Sequence, residues 1–367
     1  MIEQTVEGAP SSPSRKRLMR LLGLVASLVI VVAIFAYAVP RFANYSAVWA
    51  SLKTLTPLEF WSLFAAMIFN LFTYWLANMA ALPGLRLWPA AVLTQTTTSV
   101  ANTLPGGGAI AIGLTYSMLA SWGFSGTQVA LYVGVTGVWN IFAKLALPVL
   151  SIVFLVISGQ SSTAYVAAAV VGALVLAGAV ALFAAIFASE RLARRVGELL
   201  QKIVSPILRV FRRKKTPAWG DGAVKFRGDT IGLVEHRWIR LTWTTLLSQS
   251  ALFFVLLLSL RHMGVSEQEV SAAQVFAVFA FSRLLSAIPI TPGAVGVIDL
   301  GYIGGLAAAA PASEKVAVVA AVLLFRVLTY GIQIPIGGFT YILWRAKKSW
   351  RVTAPDSPDG RQPVGAG

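Results

Sequence analysis

The sequence predicts an all-α integral membrane protein, with about six full transmembrane helices and two re-entrant broken-helix hairpins arranged as an inverted-topology repeat. Three observations lead there. Of 367 residues, 57% are hydrophobic and 12% charged, where a soluble domain carries about 25% charged residues. Several apolar runs reach the ~18 residues that a helix needs to cross ~30 Å of hydrocarbon. Two apolar stretches are broken at their centres by Pro and Gly, at Leu104-Pro105-Gly106-Gly107-Gly108 and at Ile288-Pro289-Ile290-Thr291-Pro292-Gly293.

The first 14 residues are polar, with Pro and Ser, and are expected to form a disordered tail. Arg15, Lys16, Arg17 and Arg20 then precede an apolar run from Leu21 to Val39. That order resembles a signal peptide, but the run has full spanning length and no small-residue cleavage motif, so a retained first span is expected. Between 43 and 56, Tyr45, Val48, Trp49, Leu52 and Leu55 recur at helical spacing, which suits a short interfacial helix. A second span is expected over 58–82, followed by a turn at Pro83, Gly84 and Arg86.

Residues 88–124 are too polar for an ordinary span, with Thr94 to Ser99, Asn102 and Thr103 before the Pro-Gly break. Proline lacks a donor and glycine is costly in a helix, so the centre cannot stay helical. Non-helical backbone at membrane depth is tolerated only where protein or a cavity surrounds it. Two half-helices, about 89–103 and 107–121, satisfy both conditions. Long spans are expected at 126–158 and 163–188.

The loop 189–237 holds twelve Lys/Arg against five acids, densest at Arg212, Arg213, Lys214 and Lys215. Its first part, 190–211, is a basic amphipathic pattern suited to an anionic lipid surface. The net charge of +16 therefore points to lipid and cytoplasmic loops. Nucleic acid is not an expected partner, because aromatics are sparse in the loop. The second half then repeats the first: a span at 238–262, a broken stretch at 267–310, a span at 314–345, and a Pro/Gly-rich tail over 346–367. Repeat one covers about 58–158 and repeat two about 238–345, within one transmembrane domain of 15–345.

Laid over each other, the halves match Pro105-Gly106 to Pro292-Gly293, and Asn140 and Lys144 to Arg326 and Tyr330. With both termini placed in the cytoplasm, and each hairpin returning to its own side, 22 Lys/Arg are cytoplasmic and four are outside. That obeys the positive-inside rule for a cytoplasmic membrane. The two repeats then run in opposite senses, as in secondary transporters.

Such hairpins aim the N-termini of their second half-helices into the interior, where free N–H groups favour anions. Thr291-Pro292 is expected to be an N-cap followed by a first-turn proline. Gly106, Gly107 and Gly108 would let backbone approach a ligand closely; the turn alone would account for them equally well. Lys144, Arg283, Asp299 and Arg326 fall inside apolar stretches, where ionisable groups suggest function. Asp299 is expected to pair with Arg283 or Arg326, leaving two cations that call for an anion. Asn102, Thr103, Asn140 and Tyr330 are candidate polar neighbours. No cysteine is present, and His236 and His262 are the two histidines, so no metal site and no cofactor is expected.

The run from Leu284 to Tyr330, with IPITPGAVGVIDLGY followed by LLFRVLTYG, resembles the signature of the lysylphosphatidylglycerol synthase transmembrane region, also called flippase-like membrane proteins. LPGGG in the first half is similar to that family's other broken hairpin. The resemblance covers about 15–345 and singles out Pro292, Gly293, Gly296, Asp299, Gly301 and Arg326. The family pattern usually has Glu where this chain has Asp299. Larger members carry a C-terminal synthase domain. About twenty residues follow the last expected span here, so that domain is expected to be absent. The resemblance implies bacterial or archaeal lipid translocation, and so a prokaryotic cytoplasmic membrane, without naming the lipid. A scaffold for an envelope-biosynthesis enzyme is the alternative. An intramembrane transferase is less favoured, because Asp299 is the one acid deep in the apolar stretches and such chemistry usually needs two carboxylates or a histidine. The oligomeric state is not legible.

Overall fold

A computed structural model describes residues 39–42, 44–104, 106–160, 163–192, 219–286 and 291–347, together with 194, 195, 198, 199 and 201. The expected first span, the densest basic run, both tails, Pro105 and Ile288 to Ile290 lie outside the described residues.

The described chain is helical. α1 (Tyr45–Leu52) precedes the long α2 (Pro57–Ala81). Two shorter helices, α3 (Leu87–Thr103) and α4 (Gly107–Ser121), lead to the long α5 (Gly126–Ile157) and α6 (Thr163–Ala188). The second half opens with α7 (Trp219–His262), then α8 (Ala272–Leu285) and α9 (Val297–Ala309). It closes with α10 (Lys315–Arg326), a π-helical turn at Val327–Gly331, and α11 (Gln333–Ala346).

Local chemistry sets several of these starts. Thr56 with Glu59, Ser125 with Gln128, and Ser271 with Gln274 form reciprocal capping boxes for α2, α5 and α8. Each satisfies two N–H groups that a helix start would otherwise leave unpaired. Pro57 adds a preset first-turn φ.

Five stretches are long and apolar enough to cross a membrane: 57–81, 126–157, 170–188, 235–262 and 312–346. α6 buries none of its apolar window, and Val170, Val171, Leu174, Val175 and Leu182 all face outward. Exposed tryptophans gather towards both ends of the bundle, Trp49 and Trp61 at one and Trp88, Trp238 and Trp243 at the other. Such belts sit at the two water–lipid boundaries. The protein is a multi-pass membrane protein.

Two buried clusters are stacked along α2 and α7. One joins Leu63, Met67, Val255, Leu256 and Leu260 to α8, α9 and α10. The other joins Ala80, Ala81 and Leu241 to α3, α4, the start of α5 and Trp344. An aromatic ladder ties the first cluster together, from Phe253 through Phe276, Phe279 and Tyr302 to Phe325, with ring centroids 5.0–6.5 Å apart. Such pairs contribute ~0.5–1.5 kcal/mol each beyond area burial. At the α3–α11 contact, a Cβ on Gly337 would overlap Ser99 and the Gln95 carbonyl. Close approach through small residues is how helices associate in lipid.

Helices of the two halves pack on each other in a reciprocal pattern. α2 lies against α7, α3 against α11, and α8 against α5, while α4 contacts α5 and α9 contacts α10.

Two boundaries differ from expectation. α7 begins at Trp219, inside the expected loop, and at ~1.5 Å per residue its 44 residues run ~66 Å. Only the apolar part was visible to hydropathy; its polar extension is held at Arg227, which donates to the Phe187 carbonyl at 2.7 Å and pairs with Glu190 at 3.5 Å. The expected unbroken span 314–345 is interrupted by the π turn, where Ile332 N–H donates to the Val327 carbonyl at 2.9 Å.

Candidate functional site

The two breaks meet. The 3-10 turn Pro292–Ala294 packs on α3, and Gly293 is so close to Tyr330 that a Cβ there would overlap its ring and lie 3.0 Å from Asn102 Oδ1. Tyr330 donates its hydroxyl to the Asn102 carbonyl at 2.7 Å. Asn102 belongs to the last turn of α3, where carbonyls lack helical partners. One side chain from the last span thus closes the end of the first half-helix.

At the second break the backbone turns through the left-handed region at Gly293 (φ 57), Ala294 (φ 54) and Gly296 (φ 84). For Ala294 that conformation costs roughly 1–2 kcal/mol. Thr291 is not the N-cap. Its hydroxyl donates to the Val295 carbonyl at 2.7 Å, and α9 starts at Val297 with Gly296 as the cap residue. The turn takes up the residues between Pro292 and Val297, which moves the helix start past the proline.

The carboxylate that serves this start is Asp299, 1% exposed. One oxygen accepts the Gly296 N–H at 2.7 Å, and the other accepts Arg326 Nε–H at 2.6 Å. Of the two pairings open in the sequence, the structure takes Arg326. An acid at the third position of a helix is also favoured by the dipole. The Arg326 guanidinium lies 4.6 Å from the centroid of the Tyr330 ring, and its Nη2 is buried with no hydrogen-bond partner among the described residues. The π turn begins directly after Arg326 and contains Tyr330. Such turns concentrate at functional sites.

The first break is built differently. Gly106 is left-handed (φ 66) and caps α4 without a side chain. A Cβ on Gly107 would overlap the Val100 and Ala101 carbonyls, whereas Gly106 and Gly108 have open space and are exposed. Gly107 therefore serves the turn, and its two neighbours leave the helix start accessible.

Lys144 and Arg283 occupy the α5–α8 contact, each partly buried, and the Arg283 charge acts on Lys144. Arg283 Nε–H donates to Gln249 Oε1 at 3.1 Å. Gln249, 1% exposed, escapes the sequence analysis, although a lone amide within an apolar span was available as a signal. Asn140 stays apart: it is exposed, and its amide donates to the Thr136 carbonyl of its own helix at 2.9 Å. Of Pro292 only the backbone turn is described. Among the described residues no group of His, Asp and Glu could hold a metal.

No curated protein matches this chain. A family model, the lysylphosphatidylglycerol synthase TM region, matches residues 23–337, a segment that holds both breaks and the whole Asn102–Gly293–Asp299–Arg326–Tyr330 cluster. With well over half its length matched, this membrane protein belongs to the lysylphosphatidylglycerol synthase TM region family, whose members point to a membrane-lipid function.

Proposed function

We propose that the protein moves the headgroup of an anionic lipid, or of a lipid-linked precursor, across the cytoplasmic membrane by alternating access at a site near the midplane. Arg326 carries the proposal. It is a cation at the junction of the two breaks, with one bond to a carboxylate and a buried Nη2 left to donate. At ~1.5 Å per residue, Arg326 lies about 17 Å along α10 and Asn102 about 22 Å along α3. With those helices entering from opposite faces, both residues fall near mid-membrane. A buried donor without a partner is costly, and a phosphate oxygen would satisfy it.

The reciprocal packing of α2 on α7, α3 on α11 and α8 on α5 supports an inverted repeat whose halves rock about the shared breaks. Rocking would expose the headgroup to each side in turn while its chains stayed in lipid. In this scheme both termini and the basic loop 189–237 face the cytoplasm and anionic lipid.

Purified protein in vesicles should move a fluorescent anionic lipid between leaflets faster than protein-free vesicles do. A single cysteine replacing Ser266, labelled with an impermeant reagent, reports which way the protein faces. Gly108→Leu should fold, since nothing lies within 4 Å of that position, and should stop the movement by covering the open start of α4. If no phospholipid or polyprenyl-phosphate carrier moves, with or without a proton gradient, the scaffold alternative replaces this one.

A further inference from the structure

Charge does not balance at the centre of the bundle. Lys144 lies about 20 Å from the end of α5, and Arg283 about 17 Å from the start of α8, counted at ~1.5 Å per residue. Those two ends adjoin: Gln160, just past α5, donates to the Ser271 hydroxyl at 3.0 Å, and Phe154 meets Phe276 with centroids 6.3 Å apart. Both cations therefore sit at a similar depth, on two helices that pack against each other. Ser282, next to Arg283, packs on Gly301 of α9, the helix whose Asp299 holds Arg326.

The neutralising groups are few. Gln249 orients Arg283 through a neutral amide and cancels no charge. Asp299 is already engaged by Gly296 and Arg326. Among the described residues neither Lys144 nor Arg283 makes an ion pair. Two like charges at one helix contact within apolar helices repel each other and lose hydration. A ligand of opposite charge relieves both costs.

We infer that Lys144 and Arg283 bind a lipid headgroup carrying two negative charges, a phosphate monoester or a diphosphate. The inference rests on the midplane lipid site proposed above and narrows its substrate. Three cations against one carboxylate leave two positive charges. A phosphodiester with one charge matches half of that excess. A lysyl ester would bring ammonium groups of its own and add to it. A phosphate monoester, with a second ionisation near pH ~6, carries close to two charges at neutral pH.

Binding to the full chain in detergent tests this without any transport step. The probes are dioctanoyl phosphatidic acid, dioctanoyl phosphatidylglycerol, its lysyl ester and inorganic phosphate, at about pH 7.5, above the monoester's second ionisation near ~6. Phosphatidic acid should bind about tenfold more tightly than phosphatidylglycerol, with the lysyl ester weaker still. Lys144→Gln should erase that preference and Lys144→Arg should keep it. Equal binding of the two anionic lipids, or a preference that survives Lys144→Gln, overturns the inference. Inorganic phosphate binding as tightly as phosphatidic acid overturns the lipid assignment. Failure of lipid movement in vesicles leaves this binding result standing, so the two proposals fail separately.

Discussion

The two Pro/Gly breaks look equivalent in sequence and are chemically unlike in the fold. At the first, α4 begins at an exposed, left-handed Gly106, and no side chain caps it. At the second, α9 begins under its own carboxylate, with Asp299 bonded to the Gly296 N–H and to Arg326. A helix start offers partial positive charge to whatever anion is nearest. At the second break that anion is built in. At the first it has to come from elsewhere. A pair of broken hairpins is therefore not a pair of equal anion sites: one half supplies the open helix end, and the other supplies a fixed ion pair with a donor to spare.

The hardest way to break this comparison is to remove the built-in charge balance. Arg326→Ala leaves Asp299, 1% exposed, with a backbone N–H as its remaining described partner. Losing one member of a buried pair costs ~3–5 kcal/mol in soluble proteins, and less where the membrane-embedded unfolded state finds partners. A large drop in folded yield from detergent extracts is expected. The double change Arg326→Leu with Asp299→Asn should restore yield without restoring lipid movement. Wild-type yield and movement in Arg326→Ala alone would show that the pair neither holds the break nor serves the site.

Much of the fold was legible because membrane helices announce themselves. The half-helices expected at 89–103 and 107–121 form at Leu87–Thr103 and Gly107–Ser121, because hydropathy and the Pro-Gly break agree there. The capping boxes TPLE, SGTQ and SAAQ also stand in the sequence, a signal that hydropathy alone passes over. What stayed hidden depends on three-dimensional choice. Nothing in a string of residues decides whether Asp299 turns to Arg283 or to Arg326. The fold decides it: α9 starts late, after Gly296 with its φ of 84, so Asp299 is its third residue and meets Arg326. The length of α7 was hidden for a different reason. Its polar extension contains Gly220, Gly222, Gly228 and Gly232, residues that weaken any helical pattern.

Glycine substitutions sharpen the comparison at intermediate cost. Gly107→Ala would drive a methyl into the Val100 and Ala101 carbonyls, backbone atoms that cannot rotate away. Overpacking of this kind costs ~1–3 kcal/mol. One residue on, Gly108→Ala meets open space, and removing a helical glycine should stabilise by ~0.5–1 kcal/mol. Gly293→Ala at the second break should resemble Gly107→Ala, since its Cβ would overlap the Tyr330 ring in a left-handed backbone. Thermal unfolding in detergent should therefore rank Gly108→Ala at or above the parent and the other two below it. Equal loss at all three positions would mean that the first break is as closed as the second.

The smallest expected effect falls on the hydrogen bond by which Tyr330 reaches the end of α3. Tyr330→Phe removes the hydroxyl that donates to the Asn102 carbonyl and keeps the ring beneath Arg326. Asp299 and Arg326 keep each other, so folded yield should stay near that of the parent. The lost bond is worth ~1 kcal/mol, enough to shift a two-state equilibrium about fivefold. Because the bond anchors the end of α3, its loss should loosen the first break and leave the second intact. A cysteine at Gly108, where space is open, reports on that: its modification by an impermeant maleimide should quicken about fivefold in the Tyr330→Phe background, as a ~1 kcal/mol shift implies. A cysteine at Ser286, whose hydroxyl bonds the Arg283 carbonyl at 2.5 Å, should react at an unchanged rate. Faster modification at both positions would mean that Tyr330 holds the two breaks as a single unit, and the difference between an open half and a self-filled half would then have no consequence for movement.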